Sequence, residues 1–251
     1  MRFTNKVLIA TGAGSGIAAA TARLFTAQGG RVAIMDLDAS RALAVASECE
    51  GSIGLACDVS DEKSVQNAVA EACARLGRID CVFNAAGYVV HGPIDACSVE
   101  QWNRMLAVHV TGTFLICKAA LPALRAAGGG AIVNTSSTAA LSGRKNVGAY
   151  SAAKGAIHAF SRQLAVELGD DKIRVNAIAP GWVRTGLTEP LLTQRGGGDY
   201  AKAAAVTALD TVQKRIAEPE EIAAPVCFLL SDEASFITGT LLVPDGGMTA
   251  I

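Results

Sequence analysis

The stretch VLIATGAGSGIA, residues 7–18, shows how the fold begins. The apolar run VLIA has the length of a buried strand, and the glycines after it allow the backbone a tight turn. Small and apolar residues then continue to Ala27, which predicts a helix that starts at Gly16. A strand, a glycine-rich turn and a helix in this order indicate the first unit of an α/β fold.

Short apolar runs alternate with helix-length segments along the rest of the chain. The expected strands are residues 7–10, 31–36, 53–58, 81–85, 131–136, 173–180 and 241–245, and the expected helices are 16–27, 39–49, 62–75, 99–126, 150–168 and 220–230. Several strands lack polar alternation, as strands covered on both faces should. This order predicts one Rossmann-like α/β domain over residues 1–251, with a doubly wound parallel sheet in three α/β/α layers.

The composition gives no sign of a nucleic-acid or membrane partner. Hydrophobic residues make up 51% of the chain, charged residues 18%, and the net charge is −1. No run of basic residues marks a nucleic-acid surface, and no stretch approaches the ~20 apolar residues that span a bilayer. The first apolar run is too short for a signal peptide, so we expect a cytoplasmic protein.

The cysteines favour the same compartment. There are seven, an odd number, and no pair has Cys-x-x-Cys spacing. Scattered free cysteines behave as small apolar residues in a reducing environment. No cluster of His, Cys, Asp or Glu has the spacing of metal ligands, and we predict no metal site.

One long interruption, residues 183–216, follows the strand expected at 173–180. It contains RGGGDY at 195–200, and three successive glycines do not hold a fixed helix well. The segment is either a surface insertion or a mobile lid over a site at the carboxyl edge of the sheet. Because it directly follows a strand, we expect the lid.

The glycine turn and Asp36 together indicate a dinucleotide site. Glycines between a strand and a helix let the backbone approach a pyrophosphate, which meets the positive end of the helix. Asp36 ends the second expected strand, where a carboxylate accepts hydrogen bonds from an adenosine ribose and repels a 2′-phosphate. The alternative is an ordinary turn aspartate. We expect the ribose role, and therefore NAD rather than NADP.

A second motif, YSAAK at 150–154, places a phenol and an ammonium four residues apart. On a helix, Tyr150 and Lys154 lie on one face, one turn apart. Ser137 adds a hydroxyl after the fifth expected strand. Each feature alone is ordinary, either a surface pair or a turn former. The three together indicate a site of proton transfer.

These motifs resemble those of the short-chain dehydrogenase/reductase family, and the resemblance covers essentially all of the chain. Thr11–Ala18, Asn84–Gly87, Ser137 and Tyr150–Lys154 occur in the family's order. The chain departs from the pattern at Ala18, where the family has a third glycine of the turn, and at Ala85, where it has a second asparagine. The cofactor-binding residues that the resemblance implies are Gly12, Gly14, Ser15, Gly16, Ile17, Asp36, Asp58, Val59, Asn84, Ala86, Gly87, Tyr150, Lys154, Pro180, Gly181, Val183 and Thr185.

The resemblance also implies a chemistry. A phenol with a pKa near 10 is a poor base, but an ammonium and the positive ring of NAD⁺ nearby favour the phenolate. Tyr150 would take the proton of a substrate hydroxyl while a hydride leaves for the nicotinamide. Ser137 would hydrogen-bond the substrate oxygen, and Lys154 would also hold the nicotinamide ribose.

His109 departs from the family, which usually has an asparagine there that helps to hold a water next to the active-site lysine. An imidazole also donates and accepts, so His109 is a fourth candidate catalytic residue that relays protons and titrates near pH 6.5. The alternative is a ring that fills space. His91 is a further candidate for the pocket wall, and Arg144 and Lys145 are either solvated loop charges or contacts for an anionic substrate.

We therefore predict an NAD-dependent oxidoreductase that interconverts a secondary alcohol and its ketone. The alternatives are a reductase of 3-oxoacyl thioesters and a non-catalytic NAD-binding redox sensor of the same fold. The family is commonly a homotetramer formed through residues 99–126, residues 150–168 and the C-terminal strand, and we expect the same here.

Overall fold

The computed structural model describes residues 1–195 and 197–250. Its strands form one parallel sheet in the order β3-β2-β1-β4-β5-β6-β7. The strands are β1 (Val7–Thr11), β2 (Arg31–Asp36), β3 (Ile53–Ala56), β4 (Cys81–Asn84), β5 (Gly130–Thr135), β6 (Ile173–Ile178) and β7 (Leu241–Leu242). All five residues of β1 are buried, as the unbroken apolar run predicts. The predicted doubly wound parallel sheet is confirmed.

Helices cover both faces of the sheet. They are α1 (Gly16–Ala27), α2 (Ala39–Ser47), α3 (Glu62–Leu76), α4 (Val99–Leu106), α5 (Gly112–Ala126), α6 (Gly148–Glu167), α7 (Glu189–Arg195), α8 (Tyr200–Ala208) and α9 (Pro219–Leu230). One buried cluster packs α3, α5 and α6 against the sheet, and a second packs α1, α2 and α9 against its other face. The three predicted layers are therefore present.

The strand order places a crevice at the carboxyl edge of the sheet. β1 pairs with β2 on one side and with β4 on the other, so the order reverses between β1 and β4. The connections that follow two such strands turn away from each other in opposite directions. They leave a crevice between them, and this is where doubly wound sheets bind their ligands. The glycine turn follows β1, and the segment Ala85–Gly87 follows β4.

Several expected elements end earlier than predicted, and the difference is largest at the last strand. The last strand is Leu241–Leu242 instead of 241–245. Pro244 has no N–H for a sheet, and the Asp245 carboxylate accepts hydrogen bonds from the N–H groups of Gly247 and Thr249, at 2.9 and 2.8 Å. A side chain that caps the following turn in this way ends the strand. The expected strand 173–180 likewise ends at Ile178, two residues before Pro180.

The expectation that no segment has the length and apolar character of a membrane span is wrong. α4, a π-helical turn (Ala107–Thr111) and α5 form one helix, Val99–Ala126, whose most apolar 18-residue window has a mean hydropathy of 1.5. Within the fold, 44% of that window is buried. A helix packed in a protein core meets the same criterion, and α5 contacts α3 and the sheet.

Candidate active site

The glycine turn brings the backbone of β1 close to that of β4. Gly12 has a φ of +63°, and a Cβ built there would lie 2.7 Å from Ala86 Cα. Gly16, with a φ of +57°, opens α1, and the N-cap residue Ser15 makes no capping hydrogen bond with its side chain. The turn therefore presents the N–H groups of a helix start to the crevice, as the binding of a pyrophosphate requires.

The crevice contains two cavities that share Gly12, Ser15, Ala85 and Gly87. We call them together the cofactor cleft. The outer cavity has a volume of about 380 Å³ and the inner cavity about 170 Å³. The predicted cofactor-binding residues that line the cleft are Gly12, Ser15, Gly16, Ile17, Asp36, Asp58, Val59, Ala86, Gly87, Tyr150, Lys154, Pro180, Gly181, Val183 and Thr185.

Asp36 lines the outer cavity at the end of β2. Asp36 Oδ2 accepts a hydrogen bond from Gly14 N at 2.9 Å, and Oδ1 accepts one from Asp38 N at 3.0 Å. Both bonds fix the carboxylate, while each oxygen keeps a further lone pair. Gly14, another predicted cofactor-binding residue, is absent from the lining of both cavities and uses its N–H to orient Asp36. Its contact with a cofactor stays a prediction.

Two arginines in the outer cavity were not predicted. Arg41, on α2, lines it beside Asp36 and pairs with Asp38 at 3.4 Å. Arg104, on α4, lies 3.7 Å from Asp58 and donates to Ser60 Oγ at 2.6 Å. Both arginines lie far from the glycine turn along the chain, and only the packing of α2 and α4 brings them to the cleft. The sequence therefore does not indicate that they lie there.

Asn84, also predicted to bind the cofactor, lines neither cavity, and its contact with a cofactor stays a prediction. Its side chain is buried at the end of β4 and donates to Asn134 Oδ1 at 2.9 Å. Asn134 in turn donates to Ser161 Oγ on α6, also at 2.9 Å. These bonds join β4, β5 and α6 inside the core, so Asn84 supports the segment that follows it without facing the cleft.

Ser137, Tyr150 and Lys154 meet in the inner cavity. α6 carries the last two on one face, and the Lys154 Nζ atom lies 5.6 Å from the centre of the Tyr150 ring. Lys154 is 4% exposed, and its Nζ donates to Thr135 O at 2.7 Å. The main chain at Ser137 is extended, and its Oγ accepts a hydrogen bond from Ala139 N. The predicted set is therefore assembled at the carboxyl edge of β5.

Burial governs the charges of this set. It lowers the pKa of Lys154 to about 7 and raises the pKa of Tyr150, while a hydrogen bond with Ser137 acts in the opposite direction on Tyr150. A phenol with a raised pKa is neutral at pH 7. Lys154 alone therefore does not produce the expected phenolate at this pH.

The expectation that His109 titrates near pH 6.5 is wrong. The ring is 1% exposed, and burial, together with the charge of Lys154, lowers the pKa of His109 to about 3. His109 Nε2 lies 2.8 Å from Tyr88 O and 3.1 Å from Tyr88 N, and Nδ1 has no hydrogen-bond partner among the described residues. The imidazole is therefore neutral across the physiological range.

His109 instead packs between two parts of the site. It lies in the π-helical turn, a feature often found at functional sites, and its ring meets that of Tyr150 edge-on at 5.6 Å. A Cβ built on Gly87 would lie 2.2 Å from His109 Cε1. The ring thus occupies the space that a side chain at residue 87 would need.

A smaller cavity, of about 90 Å³, opens beyond Tyr150. We call it the distal cavity. It shares Ser137, Tyr150, Gly181, Leu187 and Thr188 with the cofactor cleft. His91 and Arg144, whose roles the sequence left undecided, lie in its wall. Thr138 and Trp182, which were not predicted, also lie there. Lys145 is exposed and does not line the cavity. The hydroxyls of Ser137 and Tyr150 therefore lie between the inner cavity and the distal cavity.

Cavity size alone does not mark the site. A cavity of about 480 Å³ opens at the amino edge of the sheet, next to Lys6 and Arg174. It contains none of the predicted catalytic or cofactor-binding residues, and Arg174 there donates to the carbonyls of Leu229 and Ser231, at 2.8 Å each. No group of three or more His, Cys, Asp and Glu residues suited to a metal ion occurs in residues 1–195 and 197–250.

Comparisons with known proteins agree with this arrangement. The sequence model of a family described as Enoyl-(Acyl carrier protein) reductase matches residues 12–249. The chain is 41% identical to D-threitol dehydrogenase of Mycolicibacterium smegmatis, over 99% of this chain and 94% of that protein. It is 38% identical to meso-2,3-butanediol dehydrogenase of Serratia marcescens, over 100% and 97%.

The crystal structure of levodione reductase superimposes with a TM-score of 0.92 and 35% identity, over 99% of both chains. A short-chain type dehydrogenase/reductase from Mycobacterium marinum gives the same TM-score at 30% identity, over 99% of this chain and 97% of that one. Fold, motif order and relatives agree along nearly the whole length. The chain is an oxidoreductase that belongs to the short-chain dehydrogenase/reductase family.

Proposed function

We propose that the protein is an NAD-dependent dehydrogenase that interconverts a small secondary alcohol and its ketone, with Ser137, Tyr150 and Lys154 as catalytic residues. The observation that carries this proposal is the position of Tyr150, which lines both the cofactor cleft and the distal cavity. A phenol between the two cavities can exchange a proton with a substrate hydroxyl whose carbon faces the cofactor.

The nicotinamide would accept the hydride, and the side chains would manage the proton and the charge. Tyr150 takes the hydroxyl proton in oxidation and returns it in reduction. Ser137 donates a hydrogen bond to the oxygen on which negative charge develops. Lys154, whose amine is held by Thr135 O, favours the phenolate once a positive ring also lies in the inner cavity.

NAD is proposed from the position of Asp36. A carboxylate at the end of β2 accepts the ribose hydroxyls and repels a 2′-phosphate. Arg41 lines the same cavity and is the feature that would favour NADP, but it already pairs with Asp38, the N-cap residue of α2. Asp36, in contrast, is bound directly to the glycine turn, because Gly14 N donates a hydrogen bond to its carboxylate.

The named relatives suggest the size of the substrate. They act on threitol, 2,3-butanediol, cyclohexanol and levodione, which are small polyols, cyclic alcohols or ketones. A small distal cavity fits such compounds. The 3-oxoacyl thioester alternative is tested by the same assay with NADPH and a thioester, and a redox sensor would show no turnover at all.

Assembly and location are part of the proposal. Val99, Phe114 and Val166 are 68%, 42% and 81% exposed on α4, α5 and α6, as expected of faces that pair in a homotetramer. All seven cysteines are free, which supports a cytoplasmic location. Light scattering on the purified protein measures the tetramer directly.

The segment 183–216 is proposed as a lid over the substrate. It contains α7 and α8, and Leu187 and Thr188 line both the inner and the distal cavities. Of the predicted glycine run, Gly196 lies outside the described residues, as do the side chains of Arg195 and Tyr200.

The decisive experiment replaces Tyr150 with phenylalanine. NADH formation is followed with a panel of secondary alcohols in the wild type and the variant. We expect turnover to fall by about 10²–10⁴-fold, since the variant loses proton transfer but keeps the ring. Binding of NAD, measured by calorimetry, should change by less than about threefold. Near-normal turnover of the variant would refute the proposed mechanism.

A further inference from the structure

A methionine outside the distal cavity packs against two residues of its wall. Met248 lies in a turn formed by residues 245–249, is buried, and does not itself line the cavity. Arg144 Nη2 donates to its sulfur, and Thr138 Oγ1 lies 3.9 Å from the same sulfur. Both of these residues line the cavity, and Thr138 directly follows Ser137 in the chain. Met248 therefore supports the wall from behind, next to the proposed catalytic serine.

Arg144 connects this contact to a third residue of the wall, Trp182. Its guanidinium carbon lies 5.9 Å from the centre of the Trp182 ring, and its Nη2 atom lies 3.4 Å from Thr138 Oγ1. A guanidinium is attracted to the face of an indole, so a shift of one side chain affects the other. We call Thr138, Arg144, Trp182 and Met248 the wall cluster. A change at Met248 is therefore expected to reach all three members that line the cavity.

The turn that carries Met248 is held on two sides. The Asp245 carboxylate accepts hydrogen bonds from two N–H groups of the turn, at 2.9 and 2.8 Å. Gly246 O accepts a hydrogen bond from Gln213 N at 3.1 Å. A Cβ built on Gly181 would lie 2.9 Å from Asp245 Cα, so the turn also packs closely on a residue that lines both the inner and the distal cavities. Met248 thus extends from a fixed main chain.

We infer that Met248 is a positioning residue that holds the wall cluster against the distal cavity and thereby sets how tightly the substrate alcohol binds. This inference rests on the proposed dehydrogenase function of the site. A shorter side chain at 248 leaves a space behind Thr138 and Arg144, and a fold fills such a space only in part. The loosened wall contacts the substrate away from its reacting atoms, so binding should weaken in the ground state and the transition state alike.

The experiment measures the oxidation of 2-butanol and of cyclohexanol at saturating NAD. In Met248→Ala, we expect KM for the alcohol to rise at least about fivefold, while kcat changes less than about threefold. Met248→Leu conserves the volume of the side chain and should keep KM within about twofold of the wild type. Leu124→Ala, in α5, removes a fully buried side chain that lines neither the cofactor cleft nor the distal cavity. It should lower stability without changing KM, and so it controls for destabilisation.

The fluorescence of Trp182 tests the wall without a substrate. A Trp102→Phe background leaves Trp182 as the sole tryptophan. Met248→Ala should increase the quenching of Trp182 by acrylamide, and Met248→Leu should not. Met248→Val, a milder truncation, should change KM and quenching in the same direction as the alanine and replaces it if the alanine variant does not fold.

Two results overturn the inference: an unchanged alcohol KM or unchanged quenching in the truncated variants, or an equal rise of KM in Leu124→Ala. The proposed function is judged separately, from the wild type. Wild-type turnover of the alcohols together with either of these results refutes the role of Met248 alone. A wild type that oxidises no secondary alcohol refutes the proposed function and this inference with it.

Discussion

Replacing Lys154 with methionine should make the protein more stable while it loses activity. The charged amine is unfavourable inside the fold, because burial lowers its pKa from 10.5 to about 7. At about 1.4 kcal/mol for each pH unit, that difference corresponds to a cost of about 5 kcal/mol when the amine is fully protonated. Methionine has a similar length, no charge and a flexible thioether that fills the same space.

The variant also loses one favourable contact. Lys154 Nζ donates to Thr135 O at 2.7 Å, and a buried carbonyl left without this donor costs about 1–3 kcal/mol. The net gain expected for Lys154→Met at pH 6 is therefore about 2–4 kcal/mol in the free energy of unfolding. Turnover should fall by at least about 10²-fold, because the phenolate loses its neighbouring charge.

The pH dependence tests the cause. Between pH 7 and 10.5 the unfolded wild type binds more protons at this lysine than the folded one does, so its stability rises with pH. The advantage of the variant is then largest at or below pH 7, and it disappears before pH 10.5, because the hydrogen bond to Thr135 O is still missing when the desolvation cost has gone. Urea unfolding at pH 6 and pH 9, at one protein concentration, measures this, with Lys145→Met as the surface control. A variant no more stable than the wild type at pH 6 would refute the reasoning.

The remaining predictions concern the cofactor, His109 and the lid. NAD should be used at least tenfold more efficiently than NADP, since a phosphate beside the Asp36 carboxylate costs more than ~1.4 kcal/mol. Asp36→Ala should reduce the difference in kcat/KM between the two cofactors. Similar kcat/KM for both cofactors in the wild type would contradict the NAD assignment. Because the pKa of His109 is lowered to about 3, the activity profile between pH 5 and 8 should show no ionisation that His109→Asn removes. Hydrogen exchange at 183–216 should slow when NAD and an alcohol bind together, whereas equal exchange with and without ligands would exclude a lid.

The sequence was sufficient for the fold because its strands are buried on both faces. Short unbroken apolar runs such as VLIA at 7–10, bounded by turn residues, favour strands buried inside such a sheet, and the glycines that follow place the turn. The pair Tyr150 and Lys154 was also predictable, since helical spacing alone puts both on one face. Apolar runs, glycine turns and helical spacing depend only on residues close together in the chain, so they can be recognised without knowing the fold.

What the sequence could not show depends on contacts between distant segments. Asn84 follows a strand like its neighbours, but the partner that turns it inward, Asn134, lies 50 residues away. In the sequence, Arg144 cannot be distinguished from a solvated loop charge, and only the fold brings Trp182 next to it. Burial lowers the pKa of His109, and the neighbouring residues in the sequence do not indicate how deeply its ring is buried.

The contact between Gly87 and His109 has a consequence for how this enzyme can change by mutation. A methyl group at residue 87 would lie 2.2 Å from the imidazole, so Gly87→Ala requires the histidine ring to move. A smaller residue at 109 removes this contact. The two positions are therefore coupled, and the effect of a substitution at residue 87 depends on which residue occupies position 109.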